Sequence, residues 1–247
     1  MKKLIALTMT LASAQLFAAG TCANTAFDAW SGLTNPDAGA LEVTAAAAMA
    51  STDCGMSVSA KTDRNKNFVQ DLSPNGEQSY RARFYINPNG IVLPTSGFNR
   101  KVKVHMAQCT AALPPCRFNG IVQIKLAATA GEGYVLDNFV ADTNGGDGTK
   151  RFRVDIPDTG ETALEYYVNL TTGEFKFWVN ASAESDPVAI NVTDGLPIDY
   201  TGLDFSDWAG GVNRARLGFM NSPANVPVDS PVYVDEFESR RQTFIGL

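Results

Sequence analysis

The sequence predicts an all-β protein built as a two-sheet antiparallel sandwich. Apolar and polar residues alternate with period two through most of the chain after the first twenty residues. Clusters of Gly, Pro, Asn and Asp punctuate that alternation at short intervals. No long stretch carries the 3.6-residue apolar period of an amphipathic helix.

The chain opens with a segment of a different kind. Lys2 and Lys3 precede an apolar run from Leu4 to Phe17, and Ala18, Ala19 and Gly20 supply small residues for cleavage. Residues 1–19 therefore read as a secretory leader cut after Ala19, with Ala12-Ser13-Ala14 as another site. The run is too short for the roughly 20 residues that cross a bilayer. Thr21 before Cys22 excludes a lipoprotein signal. The mature chain, 20–247, is expected to be a single β-sandwich domain, secreted or periplasmic, with no membrane span.

Composition narrows the function. Hydrophobic residues make up 45% of the chain, which is ample for a core. Removing Lys2 and Lys3 lowers Lys plus Arg from 20 to 18 against 26 Asp plus Glu, a formal charge of about −8. Such a balance is poor for nucleic acid and for anionic membranes. The strands also lack the aromatic girdles of an outer-membrane barrel.

Four cysteines remain, at positions 22, 54, 109 and 116. An even count in an exported chain points to disulfides. Pro114 and Pro115 already turn the chain between Cys109 and Cys116, so these two are expected to pair, leaving Cys22 with Cys54. Zinc is disfavoured, because C-x-x-C spacing and supporting histidines are missing.

Tyr80, Ala82, Phe84 and Ile86 share one face of the first clear strand, with Arg81, Arg83 and Tyr85 on the other. Val102, Val104 and Met106 oppose Lys101, Lys103 and His105. Further strands are expected at Ile121–Leu126 and Phe152–Ile156. Leu164, Tyr166 and Val168 match Phe175, Phe177 and Val179 across a turn at Thr171-Thr172-Gly173, the best hairpin in the sequence. Late strands follow at Val212–Met220 and Val232–Glu238, giving about a dozen in all. Ala45–Ala50 reads as a strand leading into a loop.

Three of these segments resemble the concanavalin A-like, LamG-type jelly-roll superfamily: Tyr80–Ile86, the hairpin Ala163–Asn180 and the closing strand Val232–Arg240. The terminal Ile245-Gly246 is similar to the ending of bacterial exported proteins. The resemblance implies a concanavalin A-like jelly roll over roughly Ala26 to Gly246. It implies lectins, adhesion modules, glycosidases or lyases alike, so function rests on a site.

A glycoside hydrolase needs two converging carboxylates. Asp235-Glu236-Phe237-Glu238 resembles the superfamily's glucanase pattern without matching it. Strand geometry pairs Glu236 with Glu238 and places Asp235 with Tyr233 and Phe237, as a partly buried carboxylate held by an arginine. His105, the sole histidine, reads as an idle surface residue beside Lys101 and Lys103. No Gly-x-Ser-x-Gly elbow or phosphate-cradling glycine loop occurs. Asp142, Asn144 and Asp147 form the nearest approach to a calcium loop, without EF-hand order. Asn169, Asn180 and Asn191 fit the glycosylation pattern; the lysine-start leader resembles a bacterial one, in which case they mark only loop or strand-end polarity.

The constellation chosen as the ligand site is Arg81, Arg83, Tyr85, Tyr167, Trp178, Arg214 and Arg216. On one concave sheet, such rings and guanidinium forks would suit sugars. Ion pairing with Glu165, Asp155 and Glu236 is the competing explanation. The sequence thus reads as an exported, non-catalytic module for a glycan or another surface polymer. A polysaccharide hydrolase or lyase and a structural or adhesive surface protein stand as alternatives.

Overall fold

The computed structural model describes residues 22, 24–35, 39–60, 66–95, 100–110, 115–117, 120–129, 133–221 and 230–247. The expected leader lies outside them. The described residues form fourteen strands and short 3-10 turns, with no α-helix among them. The strands are β1 Gly32–Thr34, β2 Leu41–Thr44, β3 Gly55–Ser59, β4 Asn67–Asp71, β5 Ser79–Asn87, β6 Lys101–Gln108 and β7 Gly120–Thr129. They continue as β8 Gly133–Ala141, β9 Thr149–Ile156, β10 Thr162–Asn169, β11 Glu174–Val179, β12 Asp199–Tyr200, β13 Arg214–Phe219 and β14 Pro231–Arg240.

Two seven-stranded sheets result. Sheet I runs β1-β4-β13-β6-β7-β8-β9, and sheet II runs β12-β11-β10-β5-β14-β3-β2. The paired strands are antiparallel, and the chain crosses between sheets after β1, β3, β4, β5, β9, β12 and β13. The all-β sandwich expected from the alternation is therefore present.

Between the sheets lies the core. Tyr80, Phe84 and Ile86 from β5 and Tyr166 and Val168 from β10 meet Val102, Val104, Ile124 and Leu126 from sheet I. Trp208 fills the same interior and is fully buried. Phe152 lies within 5.2 Å of both Phe175 and Phe177, joining β9 to β11 across the layers.

The β10–β11 hairpin forms where the sequence places it. Asn169 closes the turn, its side-chain oxygen accepting from the backbone of Thr171 and Thr172. Gly173 adopts φ +71°, and a Cβ there would meet the Leu203 carbonyl at 2.5 Å. Both expected disulfides are present, Cys22–Cys54 and Cys109–Cys116.

Three expectations fail locally. Ala45–Ala47 is a 3-10 turn, not a strand. A register shift between Lys103 and His105 turns the imidazole inward, so His105 is fully buried against Phe84, Tyr166 and Phe237. A second bulge between Asp235 and Glu238 puts Glu236 at φ +50° and turns Phe237 into the core. Asp235 therefore does not share a face with Phe237, and no arginine among the described residues holds it. Its carboxylate accepts from the backbone of Met49 and Glu236 and from the Thr52 hydroxyl.

Candidate functional site

The seven ligand residues expected from sequence divide between opposite sides of the sandwich. Arg81, Arg83, Tyr85, Tyr167 and Trp178 lie on the outer face of sheet II, because their strand neighbours Tyr80, Phe84, Tyr166 and Phe177 point into the core. Arg214 and Arg216 lie on the outer face of sheet I, flanking the core residue Ala215. No shared hollow joins the two groups. The single-groove expectation is corrected here, since its residues face away from each other across two sheets.

The sheet II group is also covered. Arg81 is 1% exposed, and its guanidinium pairs with Glu165 at 3.2 Å and Glu184 at 2.6 Å. It lies 4.8–5.3 Å from the ring centres of Tyr167, Trp178 and Phe244. The C-terminal tail crosses this face: Glu165 accepts from the backbone of Ile245 and Gly246, while Arg83 donates to the Gly246 carbonyl. Phe244 packs edge-on against Trp178, whose ring is buried. Arg83 lies within 3.3 Å of Glu236 and 3.8 Å of Glu238 and rests on Tyr85. Charge and aromatic surface on sheet II are consumed by the fold.

Sheet I presents the opposite arrangement. Alternation and register bring Lys103 and Lys125 directly across from each other on β6 and β7. Asp137 and Arg153 continue that row on β8 and β9. A parallel row crosses from Gln70 through Arg216, Met106 and Gln123 to Phe139 and Arg151. Adjacent strands place successive members of each row about 4.8 Å apart. Seven cations share this face: Lys101, Lys103, Lys125, Arg151, Arg153, Arg214 and Arg216.

Among the described residues of these strands, Asp137 brings a carboxylate to the first row and Asp155 to the neighbouring row that begins at Lys101. Asp137 takes Lys101 as its closest partner, with Arg153 at 3.8 Å. The arginines of β13 have amides instead of acids beside them. Arg214 donates through Nε to Gln108 at 2.8 Å, and Arg216 donates to Gln70 at 3.2 and 3.1 Å while lying over Phe68. Lys125 sits over the Phe139 ring at 4.7 Å.

The crowding shows in proton affinity. Burial, then the charges of Lys103 and Lys101, push the Lys125 amine down to about 8, with Asp137 pulling the other way. Burial, Lys66 and Arg216 lower Lys103. Arg216 is pushed down to about 10 by burial and by Arg214. An overall acidic chain has gathered under-neutralised cations on one sheet face. The period-two pattern displayed these residues strand by strand, but only strand register reveals that they are neighbours.

The other sequence candidates are occupied otherwise. Glu236 and Glu238 both face Arg83. Asp142 accepts from the backbone of Asn144 and Asp204, and Asp147 lies 3.7 Å from Arg151. No group of three or more His, Cys, Asp or Glu suited to a metal occurs among the described residues. A hollow of about 260 Å³ is lined by Phe27, Trp30, Val43, Met56 and Phe237, with Asp235 and Glu236 on its wall. Both carboxylates already accept hydrogen bonds from the protein.

Solved structures share this sandwich. An alginate lyase from Pseudomonas aeruginosa superposes with a TM-score of 0.53 at 11% identity, over 83% of this chain and 87% of that one. The cellulose-induced protein Cip1 gives 0.51 at 15% identity, covering 88% and 93%. An endo-β-1,4-glucuronan lyase from the fungus Trichoderma reesei gives 0.50 at 10% identity, covering 86% and 91%. No protein-family model matches the chain, and comparison with curated proteins finds no match. At these identities the likeness shows the fold alone, a two-sheet antiparallel β-sandwich. No helix among the described residues is long and apolar enough to cross a membrane.

Proposed function

We propose that this is an exported module that binds an acidic polysaccharide across the outer face of sheet I. The observation that carries the reading is the set of cross-strand rows in which Lys103, Lys125, Arg153 and Arg216, with Arg214 on the row beyond, outnumber the carboxylates beside them. A polyanion laid across the strands relieves that repulsion, and at Arg214 and Arg216 the partners are amides, so no carboxylate among the described residues has to be displaced there first. Two neighbours of the same fold are named for action on polyuronates, an alginate lyase and a glucuronan lyase, which agrees with that ligand class. The disulfides agree with export.

A second reading, elimination chemistry on the same polymer, is favoured by the Lys125 amine alone. Held near 8, it is a base at mildly alkaline pH beside cations that neutralise a substrate carboxylate. Binding isotherms with soluble alginate and a neutral glucan test the first reading. Alginate binding that weakens with salt, and that falls about tenfold or more in a Lys103→Gln, Lys125→Gln variant, is the expected result. Equal affinity for both polymers overturns it. Release of unsaturated uronate, followed by ultraviolet absorbance, decides the second.

A further inference from the structure

We infer that one end of the sheet I face is a carboxylate-reading subsite, formed by Arg214 on β13, Gln108 on β6 and Gln123 on β7. This rests on the acidic-polysaccharide reading and adds to it the group that is recognised.

Gln108 is fully buried, and its amide nitrogen is left without any hydrogen-bond partner. Leaving a buried donor unmade is unfavourable, which is why such groups mark strain or a missing ligand. Its amide is not free to turn over. Arg214 Nε donates to the side-chain oxygen at 2.8 Å, so the nitrogen must be the end presented to a ligand. No hydrogen bond or ion pair joins the remaining guanidinium nitrogens of Arg214 to the described residues. Arg214 and Gln108 are register partners, so both lie on the same face.

The third member is placed by a missing side chain. Gly120 is the register partner of Gln108 on β7. A Cβ on Gly120 would meet the Gln123 amide nitrogen at 2.3 Å. Glycine at this position lets the Gln123 amide fold back over the strand, towards Gln108. One guanidinium and two primary amides are therefore neighbours on the outer face of β13, β6 and β7, and the Gln108 oxygen is already occupied by Arg214.

Fixed donors of this kind select a planar anion. A carboxylate takes two parallel N–H bonds from a guanidinium and further bonds from flanking amides, whereas an ammonium offers charge without the fork. Neutral hydroxyls gain less, and a tetrahedral sulfate, although it also accepts a guanidinium fork, does not place its other oxygens in the plane of the flanking amides.

The test uses the mature chain with alginate, carboxyl-reduced alginate and dextran sulfate. Arg214→Lys keeps the charge and removes the fork, and Gly120→Ala pushes the Gln123 amide away while leaving every donor in the chain. Each is expected to weaken alginate binding about tenfold while changing dextran sulfate binding less than about twofold. Equal losses for both polyanions, or unchanged alginate binding in a folded Arg214→Lys variant, overturn the subsite. A wild-type protein that binds dextran sulfate and alginate alike keeps the basic-face reading and removes this one. Binding to no polyanion removes both.

Discussion

Arginine plays opposite parts on the two outer faces of this sandwich. On sheet II, Arg81 meets Glu165 and Glu184, Arg83 meets Glu236 and Glu238, and the tail from Phe244 to Gly246 lies over them. On sheet I, Arg214 and Arg216 meet glutamines, which orient a guanidinium without cancelling its charge. A carboxylate partner turns an arginine into a structural tie; an amide partner leaves it as a presented cation. Arginines alternating with aromatics therefore do not define a ligand face. Their partners do.

That contrast is broken most easily at Arg81. Arg81→Ala leaves Glu165 buried with its strongest partner gone, and removing one member of a buried pair destabilises by about 3–5 kcal/mol. A fall of that size in urea-denaturation stability, with alginate binding intact in the folded fraction, is expected. A stable variant that no longer binds glycan would return the ligand face to sheet II.

His105 lies in the core beneath both faces, its Nε2 2.9 Å from the Tyr166 hydroxyl. Burial pushes the imidazole down to about 3 from its ordinary 6.5. Below 6.5 the unfolded chain takes up a proton that the folded chain refuses, so stability is lost as pH falls from 6.5 towards 3. The slope contributed is about 1.4 kcal/mol per pH unit. His105→Gln keeps a partner for Tyr166 and cannot titrate; the acid limb of its stability profile is expected to be shallower by one proton. An unchanged limb contradicts the burial account.

Deleting residues 244–247 tests the cover itself. Glu165 loses two backbone donors, and Trp178 loses its edge contact. A loss of about 2 kcal/mol is expected, in line with charge-assisted hydrogen bonds. Uncovering the face should not create a second glycan site, because Arg81 and Arg83 keep their carboxylates. New binding by the truncated chain would show that the tail, not ion pairing, distinguishes the two faces.

Much of the fold was legible because alternation is a local signal. Tyr80, Ala82, Phe84 and Ile86 face the core as their spacing requires, and the turn at Thr171–Gly173 closes the expected hairpin. His105 and Phe237 were misplaced for one reason: each follows a bulge, and a single extra residue reverses every later side chain. Strand β8 gave little alternation to read, because nearly all of it is buried on both faces. The basic face was illegible for a deeper reason. Lys103, Lys125, Asp137, Arg153 and Arg216 come from five strands, and their adjacency is a property of register that no local pattern encodes. Arg214 and Arg216 were singled out, but with the wrong companions.

The smallest expected effect is also the one that separates binding from chemistry. Lys125 is held near 8 with Lys103 directly opposite, so its charge disappears through mildly alkaline pH while the arginines keep theirs. Its burial as an ammonium opposes folding below that value. Stability is therefore expected to rise slightly between pH 8 and the ordinary lysine value near 10.5, where the unfolded chain alone holds the proton. Binding runs the other way. Alginate affinity should weaken two- to fivefold, about 0.5–1 kcal/mol, as pH passes from 7 to 9, the scale of one partly screened charge. Lys125→Gln should bind more weakly at pH 7 and show no such step. Catalysis by the same amine would give a rate that climbs through pH 8 just as affinity declines. Opposed profiles in the wild type, both flattened by Lys125→Gln, would identify a lyase; a declining affinity with no product identifies a binder. A pH-independent affinity would place Lys125 outside the ligand's reach and shift the contact to the Arg214–Arg216 edge of sheet I.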